Sequence, residues 1–182
     1  MTGDDQFEAF VRQYQDLVFG TAVRLLGSPA DAEDVAQSVF LKAFQCFGPA
    51  GPGPLAAGWL KTATRNACLN HLSRYRARWR LFSEMDAPGA RDSDDTYEGQ
   101  IASPSTSVPG EMARVEEMER LERALRRLPH HQRVPLVLFH FEDMSYQDIA
   151  SALGVSLGKV KTDIHRGRTA LREQLSRGHA AC

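Results

Sequence analysis

The chain has 182 residues, 42% of them apolar and 25% charged, with a formal net charge of −1. That length allows one domain or two small ones, and the apolar fraction is enough for packed cores. The near-neutral balance argues against a uniformly basic nucleic-acid binder, the three cysteines lack Cys-x-x-Cys spacing, and no apolar run is long enough to span a bilayer. The polar, acidic N-terminus does not read as a signal peptide, so a reduced cytoplasmic setting is expected. Charge is nevertheless segregated. From residue 48 to 83 every charged side chain is basic: Lys61, Arg65, Arg74, Arg76, Arg78 and Arg80. Residues 84–119 are strongly acidic, with only Arg91 and Arg114 opposing, and the chain turns basic again after Ser156. Two phosphate-facing modules separated by a segment that avoids phosphate fit this pattern.

Phe7, Phe10, Val11, Tyr14, Leu17, Val18 and Leu25 recur at helical spacing, which predicts a helix over 6–26 that Gly27 stops. Ser28-Pro29-Ala30-Asp31 starts the next: serine as cap, proline at the first helical position, carboxylate at the third. Its stripe is Val35, Ala36, Val39, Phe40, Ala43, Phe44 and Phe47, leaving Asp31, Glu33, Asp34, Gln37 and Ser38 outward. The Gly/Pro run 48–54 forms a surface loop, since proline lacks the amide a helix needs. A third helix is expected from about Leu55 past Arg74, packing through Trp59, Leu60, Ala63, Ala67 and Leu72. Beyond it, arginines interleave with Tyr75 and Trp79, a mixture suited to phosphate neutralisation and base stacking or, equally, to a basic helix end with Trp79 in the core.

Residues 87–110 are rich in Asp, Ser, Pro and Gly and read as a flexible acidic linker. Helix returns near Glu111 with Val115, Met118, Leu121, Leu125 and Leu128 as its apolar face, until Pro129. A further helix over about 131–141 carries Pro135 inside, which should kink it or shift its start. Its run from Val134 to Phe141 supplies a core against which the last two helices can pack. Ser145 and Asp148 make a capping box, Met144 and Ile149 a hydrophobic staple, and Gly154 a left-handed stop. Ser156 then caps a last helix with Leu157, Val160, Ile164, Leu171 and Leu175 on one side. Lys159, Lys161, Thr162, His165, Arg166, Thr169 and Arg172 fall on the other, at about 100° per residue. A helix–Gly turn–helix unit with donors on its second helix suits a major groove, although an ordinary αα-hairpin with a basic face has the same pattern. The fold expected is all-α, in two small helical modules: a three- to four-helix bundle and a helix-turn-helix. The boundaries read from sequence are 1–86, a linker 87–112, and 113–182.

Three motifs in order resemble an extracytoplasmic-function (ECF) sigma factor of bacterial RNA polymerase, in group four of the sigma-70 family. Asp31-Ala32-Glu33-Asp34-Val35-Ala36-Gln37, with Val39-Phe40 and Phe44, resembles the signature of region two. Trp59-Leu60, Arg65-Asn66, Asn70-His71-Leu72 and Arg74 match its next signature. Leu128-Pro129, Arg133, the run 145–150, Leu153-Gly154, Val160-Lys161, His165-Arg166 and Arg168-Leu171-Arg172 resemble region four. The chain departs from the family pattern at Ser38, Asn70, Lys159 and Asp163, the last expected to pair with Lys159 or Arg166 at the rim.

The resemblance implies a dissociable, non-catalytic polymerase subunit. Region two would grip core polymerase through Asp31, Glu33, Asp34 and Gln37, acceptors suited to arginines, although Asp31 also favours its helix N-terminus through the dipole. It would open the −10 element with Arg65, Asn66, Asn70, Arg74, Arg76, Arg78 and Arg80, beside a base pocket in the loop 47–58. Region four would bind the −35 duplex with Lys161, Thr162, His165 and Arg166 towards the bases and Lys159, Arg168 and Arg172 towards phosphate. Partners implied are core RNA polymerase, promoter DNA and an anti-sigma factor, which could tether the protein at the inner membrane face. No small-molecule substrate, cofactor, metal or direct membrane insertion is expected. The competing possibility is a stand-alone helix-turn-helix regulator; an enzyme is a poor third, for want of a phosphate loop, an HExxH or a nucleophile set.

Overall fold

The computed structural model describes residues 3–48, 53–73 and 111–177, with side chains from residue 114 onward in the last stretch. Among the described residues there are seven α-helices, one short 3-10 turn and no strand. Helix α1 is Gly3–Leu26, α2 Pro29–Phe47 and α3 Ala56–Ser73, the last preceded by the 3-10 turn Gly53–Leu55. The second group comprises α4 Glu111–Arg127, α5 His130–His140, α6 Tyr146–Leu153 and α7 Leu157–Arg177. No described helix is long and apolar enough to cross a membrane.

The local signals act as the sequence suggests. Ser28 Oγ accepts from the Asp31 amide at 3.3 Å and Pro29 opens α2. Ser145 Oγ accepts from the Asp148 amide at 3.1 Å. The Asp148 carboxylate in turn accepts from the Ser145 hydroxyl at 2.7 Å, where a capping box would send it to the Ser145 amide. Gly154 adopts φ 66° and ψ 38°, and the Val155 amide reaches back to the Ala150 carbonyl at 3.1 Å, so the turn between α6 and α7 is closed by its own backbone. Ser156 Oγ caps α7 by accepting from the Lys159 amide at 3.2 Å.

Packing departs from expectation in three places. Helix α4 begins at Glu111, as its periodicity suggests, but its apolar stripe is only half covered. Leu125 and Leu128 are buried, while Val115 and Met118 are 55% and 47% exposed. Helix α5 runs from His130 through Pro135 without interruption, and Val134, Leu136, Val137 and Leu138 are all buried. A helix apolar all round is covered all round. Here α6 and α7 take one part of α5 and α1 takes another, so the buried side chains of both modules form one continuous core. The third departure is a consequence of the second: the two modules are joined by packing as well as by chain.

Arg133 anchors that packing. Its side chain is 3% exposed and lies beneath Gly27, where a Cβ would stand 2.5 Å from the guanidinium. Its Nη2 donates to the Leu26 carbonyl at 2.7 Å, and Nη1 donates to the Leu128 carbonyl at 3.1 Å. One cation thus serves the C-terminal ends of α1 and α4, where carbonyls lack helical partners. Burial lowers its pKa to about 10, which leaves it charged at neutral pH. Arg24 adds a second bridge, 2.8 Å from Glu122 with its guanidinium 5.2 Å from the Phe141 ring centroid.

Candidate nucleic-acid interface

Helix α7 lies over α5 with Val160, Asp163, Ile164 and Gly167 buried. Gly167 lets the helices pass closely, since a Cβ there would meet the Gln132 carbonyl at 3.2 Å. This contact fixes which side of α7 faces outward. Lys161, His165, Arg166, Thr169 and Arg172 are exposed, and Thr162 is half-buried with its hydroxyl donating to the Gly158 carbonyl at 2.9 Å. Lys161, Thr162, His165, Thr169 and Arg172 fall on one stripe, with Arg166 at its edge. The arrangement presents cations and hydrogen-bond donors along a rod of major-groove width.

Two basic residues of α7 are committed elsewhere. Arg168 Nε meets His140 Nε2 at 3.1 Å, and its guanidinium lies 5.5 Å from the Phe139 ring centroid. Burial and Arg168 both lower the His140 pKa, which keeps the imidazole an acceptor for that contact. Lys159 Nζ lies 3.0 Å from Asp163. Lys159 is one of the two partners the sequence leaves open, but the position differs from expectation: Asp163 is 2% exposed, inside the module rather than at the rim. Burial raises its pKa, with Lys159 opposing.

On α2, Glu33, Asp34 and Gln37 are exposed along one side. Asp31 sits apart from them in the first turn, with Oδ1 3.7 Å from His71 Nε2 of α3. Leu41 lies one turn beyond Gln37 on the outward side and is 58% exposed, an apolar residue that the stripe periodicity leaves out of the core. Phe44 and Phe47, both on the stripe that sequence periodicity buries, are 38% and 42% exposed. Phe47 meets Trp59 edge-on at 5.2 Å between ring centroids.

Helix α3 divides the candidates of the first module. Asn66 and Asn70 are exposed, whereas Lys61 and Arg65 are half-buried on a side about 100–180° away. That side faces the turn between α5 and α6. Asp143 Oδ2 is 3.8 Å from Lys61 Nζ, and Glu142, 7% exposed, lies within the fields of Lys61, Arg65 and Arg24. Burial raises the Glu142 pKa despite those three cations. The buried thiol of Cys68, also near Glu142, is pushed up to about 12, mainly by burial. Sequence inspection does not find Glu142 and Asp143 as site residues; the only signal is an acidic pair directly before a helix-turn-helix cap. Arg74, Arg76, Arg78 and Arg80, part of the loop 47–58, and the linker to residue 110 lie outside the described residues.

Family comparisons agree with this layout. The description "Sigma-70 region 2" matches residues 10–78, and "Sigma-70, region 4" matches residues 118–171. The ECF RNA polymerase sigma factor SigE of Mycolicibacterium smegmatis is 34% identical over 180 residues, covering 97% of this chain and 65% of that relative's length. The RNA polymerase sigma-H factor of Pseudomonas aeruginosa is 31% identical over 170 residues, covering 93% of this chain and 86% of the relative. A co-crystal structure of the sigma factor RpoE with the anti-sigma factor NepR from Bartonella quintana aligns with a TM-score of 0.47 at 22% identity, over 93% of this chain and 96% of that one. With both regions in order and relatives matched over most of their length, this chain belongs to the ECF family of RNA polymerase sigma factors.

Proposed function

We propose that the chain is the non-catalytic specificity subunit of a bacterial RNA polymerase. Its exposed α2 face, Glu33, Asp34 and Gln37 with Leu41 beside them, meets core enzyme. The first module, with Asn66 and Asn70 on α3 and the arginines Arg65, Arg74, Arg76, Arg78 and Arg80, opens the −10 element. Helix α7 enters the −35 major groove with Lys161, Thr162, His165 and Arg166, while Arg172 tracks phosphate. Residues 1–86 and 113–182 form the two working units on either side of the 87–112 linker. The family resemblance adds an anti-sigma partner, which would control the protein from outside its own chain.

One observation carries this function best: an α6–turn–α7 unit, closed at Gly154, that presents an open stripe of cations and donors. Reconstituted transcription with purified core polymerase over a genomic promoter pool tests it. Start-site selection that depends on this chain is the expected result, and no association with core enzyme would overturn it. A stand-alone regulator would instead hold specific duplex without polymerase. Replacing Asp34 and Gln37 together by alanine should weaken core association about tenfold or more, as two exposed polar contacts at an interface warrant. Titration against labelled core enzyme reads that change.

A further inference from the structure

We infer that the acidic turn Glu142–Asp143 occupies the cationic face of α3 in the free chain as an internal substitute for nucleic-acid phosphate. This rests on the proposal that the first module faces nucleic acid. The geometry has three parts. Asp143 brings its carboxylate to 3.8 Å from Lys61 Nζ, and the neighbouring Glu142 is 7% exposed, within the electrostatic field of Lys61, Arg65 and Arg24. Asp143 holds φ 53°, the positive-φ non-glycine residue among those described, in a conformation that glycine would take more easily. Aspartate is among the non-glycine residues that take this conformation most readily, so the turn is closed at Asp143 with its carboxylate left free to face Lys61. Finally, the turn is delivered to α3 by fixed packing, through Arg133 at the end of α1 and Arg24 across to Glu122 and Phe141.

The contact is built to give way. The Asp143 side chain is 89% exposed, so its attraction to Lys61 is screened by solvent. Glu142 Oε2 is buried without a hydrogen-bond partner among the described residues, so leaving α3 would let water satisfy it. A phosphate backbone, with denser charge and acceptors on every residue, can replace these two carboxylates on Lys61 and Arg65. The free chain thus covers part of its own nucleic-acid face until the modules part.

The test measures binding of the full chain to a fluorescent single-stranded 20-nucleotide DNA, across a salt series. Glu142→Gln with Asp143→Asn should bind about tenfold more tightly than the unmodified chain, with a log–log salt slope steeper by about one. Both changes keep shape, and circular dichroism checks folding. The charge-matched control, Glu116→Gln with Glu117→Gln on the exposed face of α4, should gain much less. Adding Lys61→Ala and Arg65→Ala to the first pair should abolish the gain. No gain, an equal gain in the control, or a gain that survives loss of Lys61 and Arg65 would each overturn the inference. Failure of the functional proposal is separate: promoter opening by the reconstituted polymerase would then be indifferent to Arg65→Ala.

Discussion

Helices α3 and α7 are both basic, yet they meet their surroundings differently. On α7 the cations of one stripe are open to solvent, while Lys159 and Arg168, outside it, are tied inward to Asp163 and His140. On α3 the lysine and arginine of the basic face are half-buried against carboxylates from the other module. Side-chain type therefore states a helix's charge but not its availability. Availability is set by what the rest of the chain packs against that face.

The largest effect is expected from removing the anchor that holds the second module over α3. Arg133→Ala leaves the Leu26 and Leu128 carbonyls without their buried charged donor. It should cost about 3–5 kcal/mol in urea-unfolding stability, the range for disrupting a buried network. A loss below about 1 kcal/mol would mean that the cover over α3 is not fixed by this residue. Next in size is the division within α7. Arg166→Ala should weaken −35 duplex binding by roughly 1–3 kcal/mol while core association stays intact. Arg168→Ala should leave duplex affinity within about threefold and lower the melting temperature instead, because its guanidinium is held by His140 and Phe139. Equal effects on binding would put both arginines on the groove side.

The smallest effect is in pH. His140 titrates below its ordinary value of 6.5, so the unfolded chain takes up its proton first. Its contribution to stability is full above that ordinary value and is lost as pH falls through the lowered native one. Glu142 acts in the opposite sense, since its raised pKa makes the folded chain the better proton binder as pH drops. Melting curves between pH 7.5 and 5.5 should fall less steeply in His140→Gln than in the unmodified chain, by an amount worth under about 1 kcal/mol. Identical slopes would show that the imidazole is not held neutral by its neighbours.

Much of the fold is legible in the sequence, and the reason is local. Ser28, Ser145, Ser156 and Gly154 act within a few residues of themselves, and caps and stops need no knowledge of the rest of the fold. The stripe on α7 is equally readable, since one helix face comes directly from periodicity. Contact at a distance is not. Arg133 reaching Leu26 spans 107 positions, and nothing near either residue announces it. Helix α5 does carry a signal, because an apolar run with no polar side needs cover on every side. Its sequence neighbours point to one module's core, whereas it serves two. The exposed halves of the α2 and α4 stripes show the reverse case: Phe44, Phe47, Val115 and Met118 keep helical spacing but are only partly covered.

Gly167 is buried on the side of α7 opposite the proposed groove contacts, yet its size bears on all of them. With a hydrogen in place of a methyl group, α7 seats against the Gln132 carbonyl, and its outward residues are aimed by that seat. Even a methyl group there would press on that carbonyl and require a shift of a few tenths of an ångström between α5 and α7. Changes of promoter preference can thus accumulate on one side of the helix only while the opposite side stays bare.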